Sequence, residues 1–203
     1  VHADGTSNQI IIKQTKQAEF PVGANPNDTT VVYTPTSSSV AVTVKNSNGN
    51  NFFGLVNVNL DVTVPADSNL NLKTNVGDVE VKGVSGQMTL NSNTGSISAE
   101  NVTLTGASTM KTNVGSVNFE GQITNGDSYV FESNTGSVNV TLPANTTFHV
   151  DAKTDTGSIN SDFPIGVQKS TVGAQVHADV GNSPTTTITT RTNTGDIDIR
   201  QGN

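Results

Sequence analysis

The sequence predicts an all-β fold, a single-stranded parallel β-helix (β-solenoid) with about 20 residues per coil. Three observations predict it. A six-residue phrase with a glycine at its fourth position occurs six times, and apolar residues alternate with polar ones on both sides of that glycine. Only 32% of the 203 residues are hydrophobic, while Thr, Asn, Ser and Gly are abundant. Strands suit this composition because only every second residue must face a core.

The phrase reads Ser/Thr, Asn/Asp, Val/Thr, Gly, Ser/Asp, Val/Ile. It occupies residues 74–79, 92–97, 112–117, 133–138, 154–159 and 192–197, with spacings of 18, 20, 21, 21 and 38 residues. Units of this length cannot bury an apolar side alone and must stack on one another. The interval of 38 residues is interpreted as two coils, one of them degenerate.

The centre of each phrase is a predicted corner between two strands. Glycine adopts positive φ without a Cβ clash, and Asn or Asp tolerates turn geometry while bonding to nearby backbone. In a stack, successive Asn amides could also bond to one another. The predicted structural turn residues are Asn75 and Gly77, Asn93 and Gly95, Asn113 and Gly115, Asn134 and Gly136, Asp155 and Gly157, and Asn193 and Gly195.

The alternation on each side of the corner predicts which residues face the core. Apolar residues stand two positions after each glycine, and they predominate four positions after it and five and seven positions before it. They include Val79, Ile97, Val117, Val138, Ile159 and Ile197 after the corner, and Leu90, Met110, Phe131 and Ala152 before it. A β-sandwich with similar hairpins is the alternative, but a constant register through six turns favours the solenoid.

The chain is expected to form one continuous domain. Residues 1–69 are predicted to be an N-terminal cap with the first coils, and residues 70–203 the repeat solenoid. The segment 163–184, which contains two prolines, is expected to be irregular.

The segments Leu70–Val79 and Thr192–Ile199, with the lead-in Val62–Ala66, resemble a bacterial family of proposed adhesins whose function is undetermined. The resemblance covers residues 56–200. It implies a parallel β-helix, usually right-handed, behind a signal peptide or anchor. It transfers no catalytic residues.

Composition excludes several classes of function. The net charge of −7 argues against a general nucleic-acid binder, and no apolar run approaches the length of a spanning helix. The chain lacks cysteine, so thiol chemistry and cysteine-based zinc sites are excluded. It begins without a basic, apolar leader, as a mature chain would, so an extracellular or cell-surface location is expected.

A polysaccharide-active β-helix enzyme, a lyase or hydrolase, is the main alternative function. It would need acids clustered on one outward groove. Asp78 and Asp196 are expected to lie five to six coils apart, on the order of 25 Å, which is too far for a two-carboxylate mechanism. His149 is out of phase with the core, and no metal-ligand spacing occurs. We therefore predict no catalytic, cofactor-binding or metal-binding residue. An ice-binding solenoid is also considered, but no outward threonine ladder recurs in register.

Basic residues form the one non-random outward column. Lys73, Lys111, Lys153 and Arg191 each stand four residues before a repeat glycine, and they are four of the ten basic residues. One interpretation is that alternate coils separate like charges by roughly 10 Å, which keeps the stack soluble. The other is a cationic stripe that binds an anionic cell-wall polymer or glycan. The sequence thus predicts a non-enzymatic, extracellular, adhesin-like module of a bacterial surface, whose partner is a wall polymer, a glycan or a surface protein.

Overall fold

The computed structural model describes residues 1–4, 9–19, 29–36, 39–46 and 55–202, and every regular element within those ranges is a β-strand. The strands are β1 (His2–Asp4), β2 (Ile11–Glu19), β3 (Thr29–Pro35), β4 (Val40–Asn46), β5 (Leu55–Pro65), β6 (Leu70–Val76), β7 (Val79–Lys82), β8 (Ser85–Gly86), β9 (Met88–Thr94), β10 (Ile97–Leu104), β11 (Ser108–Val114), β12 (Val117–Ile123), β13 (Ser128–Thr135), β14 (Val138–Pro143), β15 (Phe148–Thr156), β16 (Ile159–Ser161), β17 (Gln168–Lys169), β18 (Ala174–Val180), β19 (Thr187–Thr194) and β20 (Ile197–Gly202).

The chain divides into two compact units, residues 7–64 and residues 1–6 with 65–203. In the smaller unit, β2 pairs antiparallel with β5, and β3 pairs antiparallel with β4. The Tyr33 hydroxyl donates to Gln14 Oε1 at 3.2 Å within this unit. This pairing differs from the coils that the sequence predicts there, because a coil strand pairs in parallel with its neighbours.

The larger unit is built from six rungs, each made of the strand before a repeat glycine and the strand after it. Rungs 1 to 6 span residues 70–82, 88–104, 108–123, 128–143, 148–161 and 187–202. The strands before the glycines form one sheet and those after them form another. Equivalent residues of neighbouring rungs lie side by side in parallel pairs, such as Met110 beside Leu90 and Val117 beside Ile97.

The order of the rungs in space is 1, 2, 3, 4, 6, 5. Strand β19 pairs with β13 on one side and β15 on the other, and β20 lies between β14 and β16. Rung 6 is therefore inserted between two rungs that precede it in the chain. The sequence predicts stacking in chain order, and that expectation is wrong for the last two rungs.

The segment between rungs 5 and 6 does not contain the degenerate coil that the sequence predicts. Instead, β18 pairs antiparallel with the outer edge of β15, from Phe148 beside Val180 to Thr154 beside Ala174. The two-residue strand β17 pairs antiparallel with β18. The long repeat interval is explained by this end strand and by the return of the chain to the gap inside the stack.

The core lies between the two sheets and contains most of the predicted inward positions together with other apolar residues, such as Leu104, Phe148 and Phe163. Phe119 and Phe131 face each other across it with ring centroids 5.1 Å apart, and Phe148 meets Phe163 edge-on at the same distance. Most inward residues are completely buried, including Ile97, Val117, Val138, Met110 and Ile197. In the inward column five residues before the repeat glycines, rung 6 carries a polar residue, since Thr190 stands beside Phe131 and Ala152 and is also completely buried.

The predicted all-β class is confirmed, and the architecture resembles a β-solenoid with mixed sheets. Parallel pairs join the rungs, while antiparallel pairs occur at β15–β18, at β17–β18 and in the smaller unit. The register of the parallel pairs places each class of repeat position in its own straight column. Outward-facing columns are therefore the natural candidates for a binding surface.

Candidate functional site

Each rung turns at its repeat glycine, where the backbone of one rung touches the next. The six glycines have φ between +124° and +147°, a region that residues with a Cβ rarely adopt. A Cβ on Gly115 would also lie 2.3 Å from the Gly95 carbonyl oxygen of the neighbouring rung. The predicted need for glycine at the corner thus has two causes, the positive φ and the close approach of stacked backbones.

Hydroxyl groups fasten these corners together. In rungs 2 to 6, the Ser or Thr three residues before the repeat glycine donates to the glycine carbonyl of the neighbouring rung, as Thr112 does to Gly95 at 2.7 Å and Ser133 to Gly115 at 2.8 Å. Ser92, Thr192 and Thr154 repeat the contact. These side chains are buried, so each bond satisfies two otherwise desolvated groups. Sequence reasoning missed this role, although a hydroxyl residue begins every phrase.

The corner asparagines form a partial ladder. Asn113 Nδ2 donates to Asn93 Oδ1, and Asn134 Nδ2 donates to Asn113 Oδ1 at 3.0 Å. All three side chains are exposed, so the ladder lines the outer corner of rungs 2 to 4. The expected amide–amide bonding is found at these three positions.

The predicted basic column follows the outer face of the sheet formed by β6, β9, β11, β13, β19 and β15. In spatial order it reads Lys73, Asn91, Lys111, Glu132, Arg191, Lys153. Because rung 6 lies beside rung 5, Arg191 and Lys153 occupy adjacent strands. The expectation that like charges alternate with other residues throughout the column is therefore wrong at this end.

Three of the four basic side chains in the column contact a carboxylate. Lys111 Nζ lies 2.9 Å from Glu132, Lys153 Nζ lies 2.7 Å from Asp155, and Arg191 lies 3.5 Å from Asp151. Lys73 makes no ion pair with any residue that the structure describes. The pairs reduce the net positive charge of the column and explain how adjacent Arg191 and Lys153 are tolerated.

Asp78 and Asp196, the two acids that a catalytic pair would require, instead bind the backbone of neighbouring rungs. Asp78 Oδ1 accepts from the backbone N–H of Ser96, and Asp196 Oδ1 accepts from that of Ser158, both at 2.7 Å. Their rungs are four steps apart, or about 19 Å at ~4.8 Å per strand. The predicted separation of five to six coils is too long, because rung 6 is not at the end of the stack. The carboxylates are nevertheless too distant to act on one bond.

A second outward feature lies on the opposite sheet. A shallow depression of about 370 Å³ is lined by side chains of β10, β12, β14 and β20, among them Glu100, Glu120 and Arg200. Beside it, Lys82 Nζ donates to Glu80 at 2.6 Å and lies 3.2 Å from Glu100. This contact lowers the pKa of Glu80 and raises that of Lys82. The groups are solvent-exposed, so the network is a surface charge cluster.

His149 and His177 meet at the end strand of the larger unit. His149 Nδ1 donates to Asp179 Oδ1 at 2.6 Å, and the rings of His149 and His177 lie 4.4 Å apart. His149 faces outward, as expected, and its neighbours on β18 partly cover it. Within the described ranges no group of three or more His, Asp or Glu residues is placed to hold a metal ion.

Comparison with known proteins assigns the family. A family model described as Toastrack DUF4097 matches residues 3–127 and again residues 68–200, which together cover nearly the whole chain. The chain belongs to the Toastrack DUF4097 family.

A solved structure shares the fold of this Toastrack chain. It is a protein of Clostridium sporogenes, named a "putative cell adhesion protein" in its description, with 14% sequence identity and a TM-score of 0.52. The alignment covers 99% of the Toastrack chain and 87% of the other. No curated protein matches the sequence. None of the described residues of the Toastrack chain forms a helix long and apolar enough to cross a membrane.

Proposed function

We propose that this Toastrack chain is a non-enzymatic, adhesin-like binding module exposed on the outside of a bacterial cell. The observation that carries the proposal is the basic column, which places Lys73, Lys111, Arg191 and Lys153 on one straight face of the stack. The name of the C. sporogenes neighbour, "putative cell adhesion protein", is consistent with a role in adhesion.

We also propose that the rungs form a right-handed, single-stranded parallel β-helix. The in-register parallel pairs between equivalent strands support a helical path of the chain. A right-handed path is expected because parallel crossover connections are almost always right-handed.

The proposed ligand is an anionic wall polymer or sulfated glycan. Rungs 1 and 5 are five steps apart, so the column extends about 24 Å at ~4.8 Å per strand. A polymer with charges along its length can contact several such points, whereas a small anion would contact one. The module needs no chemical step for this, since it only holds the polymer in place.

The ion pairs along the column do not prevent this binding. The Lys111, Lys153 and Arg191 side chains are 46%, 54% and 54% exposed. Exposed pairs of this kind contribute only about 0–1 kcal/mol each. An anionic polymer can therefore displace the carboxylates at small cost, while Lys73 is already available.

The test is the triple variant Lys73→Ala, Lys111→Ala, Lys153→Ala. Binding to purified teichoic acid and to a sulfated glycan is measured at rising salt concentration. The unmodified chain should bind at low salt and lose affinity as salt increases, since screening weakens exposed charge contacts. The triple variant should fold normally and bind much more weakly.

A second triple variant removes the same number of charges away from the column, namely Lys13→Ala, Lys82→Ala and Arg200→Ala. It should keep most of the binding. Equal losses in both variants would mean that net charge alone governs binding. Failure of the unmodified chain to bind either polymer at low salt would contradict the proposed ligand.

A further inference from the structure

Rung 6 is held by main-chain contacts on both sides. Strand β19 is in register with β13 from Ser128 beside Thr187 to Thr135 beside Thr194. On its other side it is in register with β15 from His149 to Thr156. Strand β20 has the equivalent neighbours β14 and β16. Residues 187–202 therefore fill a gap between rungs 4 and 5, which we name the rung-6 slot.

The contacts in this slot are those of every other boundary in the stack. Thr192 donates to the Gly136 carbonyl and Thr154 donates to the Gly195 carbonyl, both at 2.8 Å. The same bond from a hydroxyl side chain to a glycine carbonyl joins rungs 1 to 4. The slot thus recognises the repeat phrase itself, and nothing in these contacts requires that rung 6 come from the same chain.

The connection into rung 6 is short and carries backbone strain. Residues 181–186 lead from the end of β18 to the start of β19, on opposite sides of β15. Ser183 has φ of +45°, a left-handed conformation that a residue with a Cβ rarely adopts. A short connection under strain favours exchange of the element that it leads to, because an extended connection relieves the strain.

We propose that rung 6 is exchangeable, and that two copies of this chain associate by each inserting residues 187–202 into the rung-6 slot of the other. The exchanged dimer keeps every contact of rung 6, so its formation is limited mainly by chain concentration. Six extended residues span about 20 Å, which is enough for the connection to leave its own stack. The partner is thus a second copy, held through its own repeat phrase.

The first test uses the unmodified chain, refolded from denaturant at increasing protein concentration and then diluted. The fraction of dimer should rise with concentration and persist after dilution, because reversal requires rung 6 to detach. Molecular mass is measured by light scattering after size separation. A chain that is monomeric at every refolding concentration would overturn the proposal.

The second test locates the contact with single cysteines, since the chain has none of its own. Val130 and Thr189 are neighbours across the boundary between rungs 4 and 6, and Thr89 and Thr109 are neighbours between rungs 2 and 3. All four have half-buried side chains on the same outward column. The V130C and T189C variants of this 203-residue chain, one of them carrying a size tag, are refolded together and then oxidised. The T89C and T109C variants, treated in the same way, are the matched pair.

The V130C–T189C disulfide-linked heterodimer should exceed the T89C–T109C heterodimer several-fold. Equal yields from the two pairs would show that any dimer forms by general association, and would overturn the exchange of rung 6.

Discussion

Thr190 provides the sharpest test of the packing, because its hydroxyl has no hydrogen-bond partner among the described residues although the side chain is completely buried. It occupies the inward column between Phe131 and Ala152, where the other rungs carry apolar side chains. Replacing it with valine keeps the shape of the side chain and removes the polar group. We therefore expect Thr190→Val to stabilise the larger unit.

The magnitude follows from the cost of the unpaired hydroxyl. A buried polar group without a partner costs about 1–3 kcal/mol, and the added methyl contributes favourable burial of the order of 0.8 kcal/mol. Because the two contributions add, we expect the free energy of unfolding to rise by about 2–4 kcal/mol. The measurement is a urea titration followed by far-ultraviolet circular dichroism, with the midpoint and the slope fitted separately.

Thr192→Val is the matched control, since this residue lies two positions along the same strand and is also buried. Its hydroxyl donates to the Gly136 carbonyl, so its loss should lower the free energy of unfolding by about 1–3 kcal/mol. Opposite signs for the two substitutions are the expected result. A Thr190→Val chain that is less stable than the unmodified chain would refute the assignment of an unpaired hydroxyl.

Three other predictions follow from the stack. Gly115→Ala should lower the urea midpoint more than Gly77→Ala. Both substitutions place a Cβ on a residue with positive φ, but only the Cβ at position 115 meets a carbonyl oxygen of the neighbouring rung. Equal shifts of the midpoint would contradict the close approach of the stacked backbones at Gly115. Phe131→Ala should lower the free energy of unfolding by about 3–5 kcal/mol, because it leaves a cavity. Glu132→Ala should lower it by only about 0–1 kcal/mol, because the ion pair of this half-buried side chain with Lys111 lies at the surface. The reverse order would mean that the inward register is wrong. Burial raises the pKa of Tyr129 in the folded chain above its ordinary value of about 10. The neutral phenol therefore stabilises the fold below a pH of about 10, and this contribution to the free energy of unfolding should be lost as the pH rises through the pKa of the folded chain. Tyr129→Phe should flatten this loss in alkaline unfolding curves, and an unchanged pH profile would contradict the prediction.

The corner and the inward columns are predictable because they depend on local requirements. A positive φ selects glycine, and a two-residue period selects the buried side of each strand. The order of the rungs is different. Rungs 4, 5 and 6 carry nearly the same phrase, so each of them is chemically compatible with each neighbour, and the sequence contains no local signal that distinguishes chain order from insertion.

The candidate site is predictable to a similar extent. The spacing from the glycine places the four basic residues in one column, but it does not identify their partners. Asp151 meets Arg191 only because rung 6 lies beside rung 5, whereas Asp155 meets Lys153 two residues before it on the same strand. Thr190 escaped sequence reasoning because a polar residue was not expected at an inward position.

The inserted rung also determines when the molecule can complete its folding. In rungs 1 to 4, the hydroxyl that closes each boundary is 15–18 residues from its acceptor, so these rungs can add one after another as the ribosome delivers them. The contact from Thr192 to Gly136 spans 56 residues. Rung 5 leaves the ribosome before rung 6, although rung 6 lies between rungs 4 and 5 in the folded stack. If rungs 4 and 5 first pair with each other, they must separate again before rung 6 can insert. We expect this late step to be slow, and to couple rungs 4, 5 and 6 into one cooperative transition instead of the independent unfolding typical of linear repeat arrays.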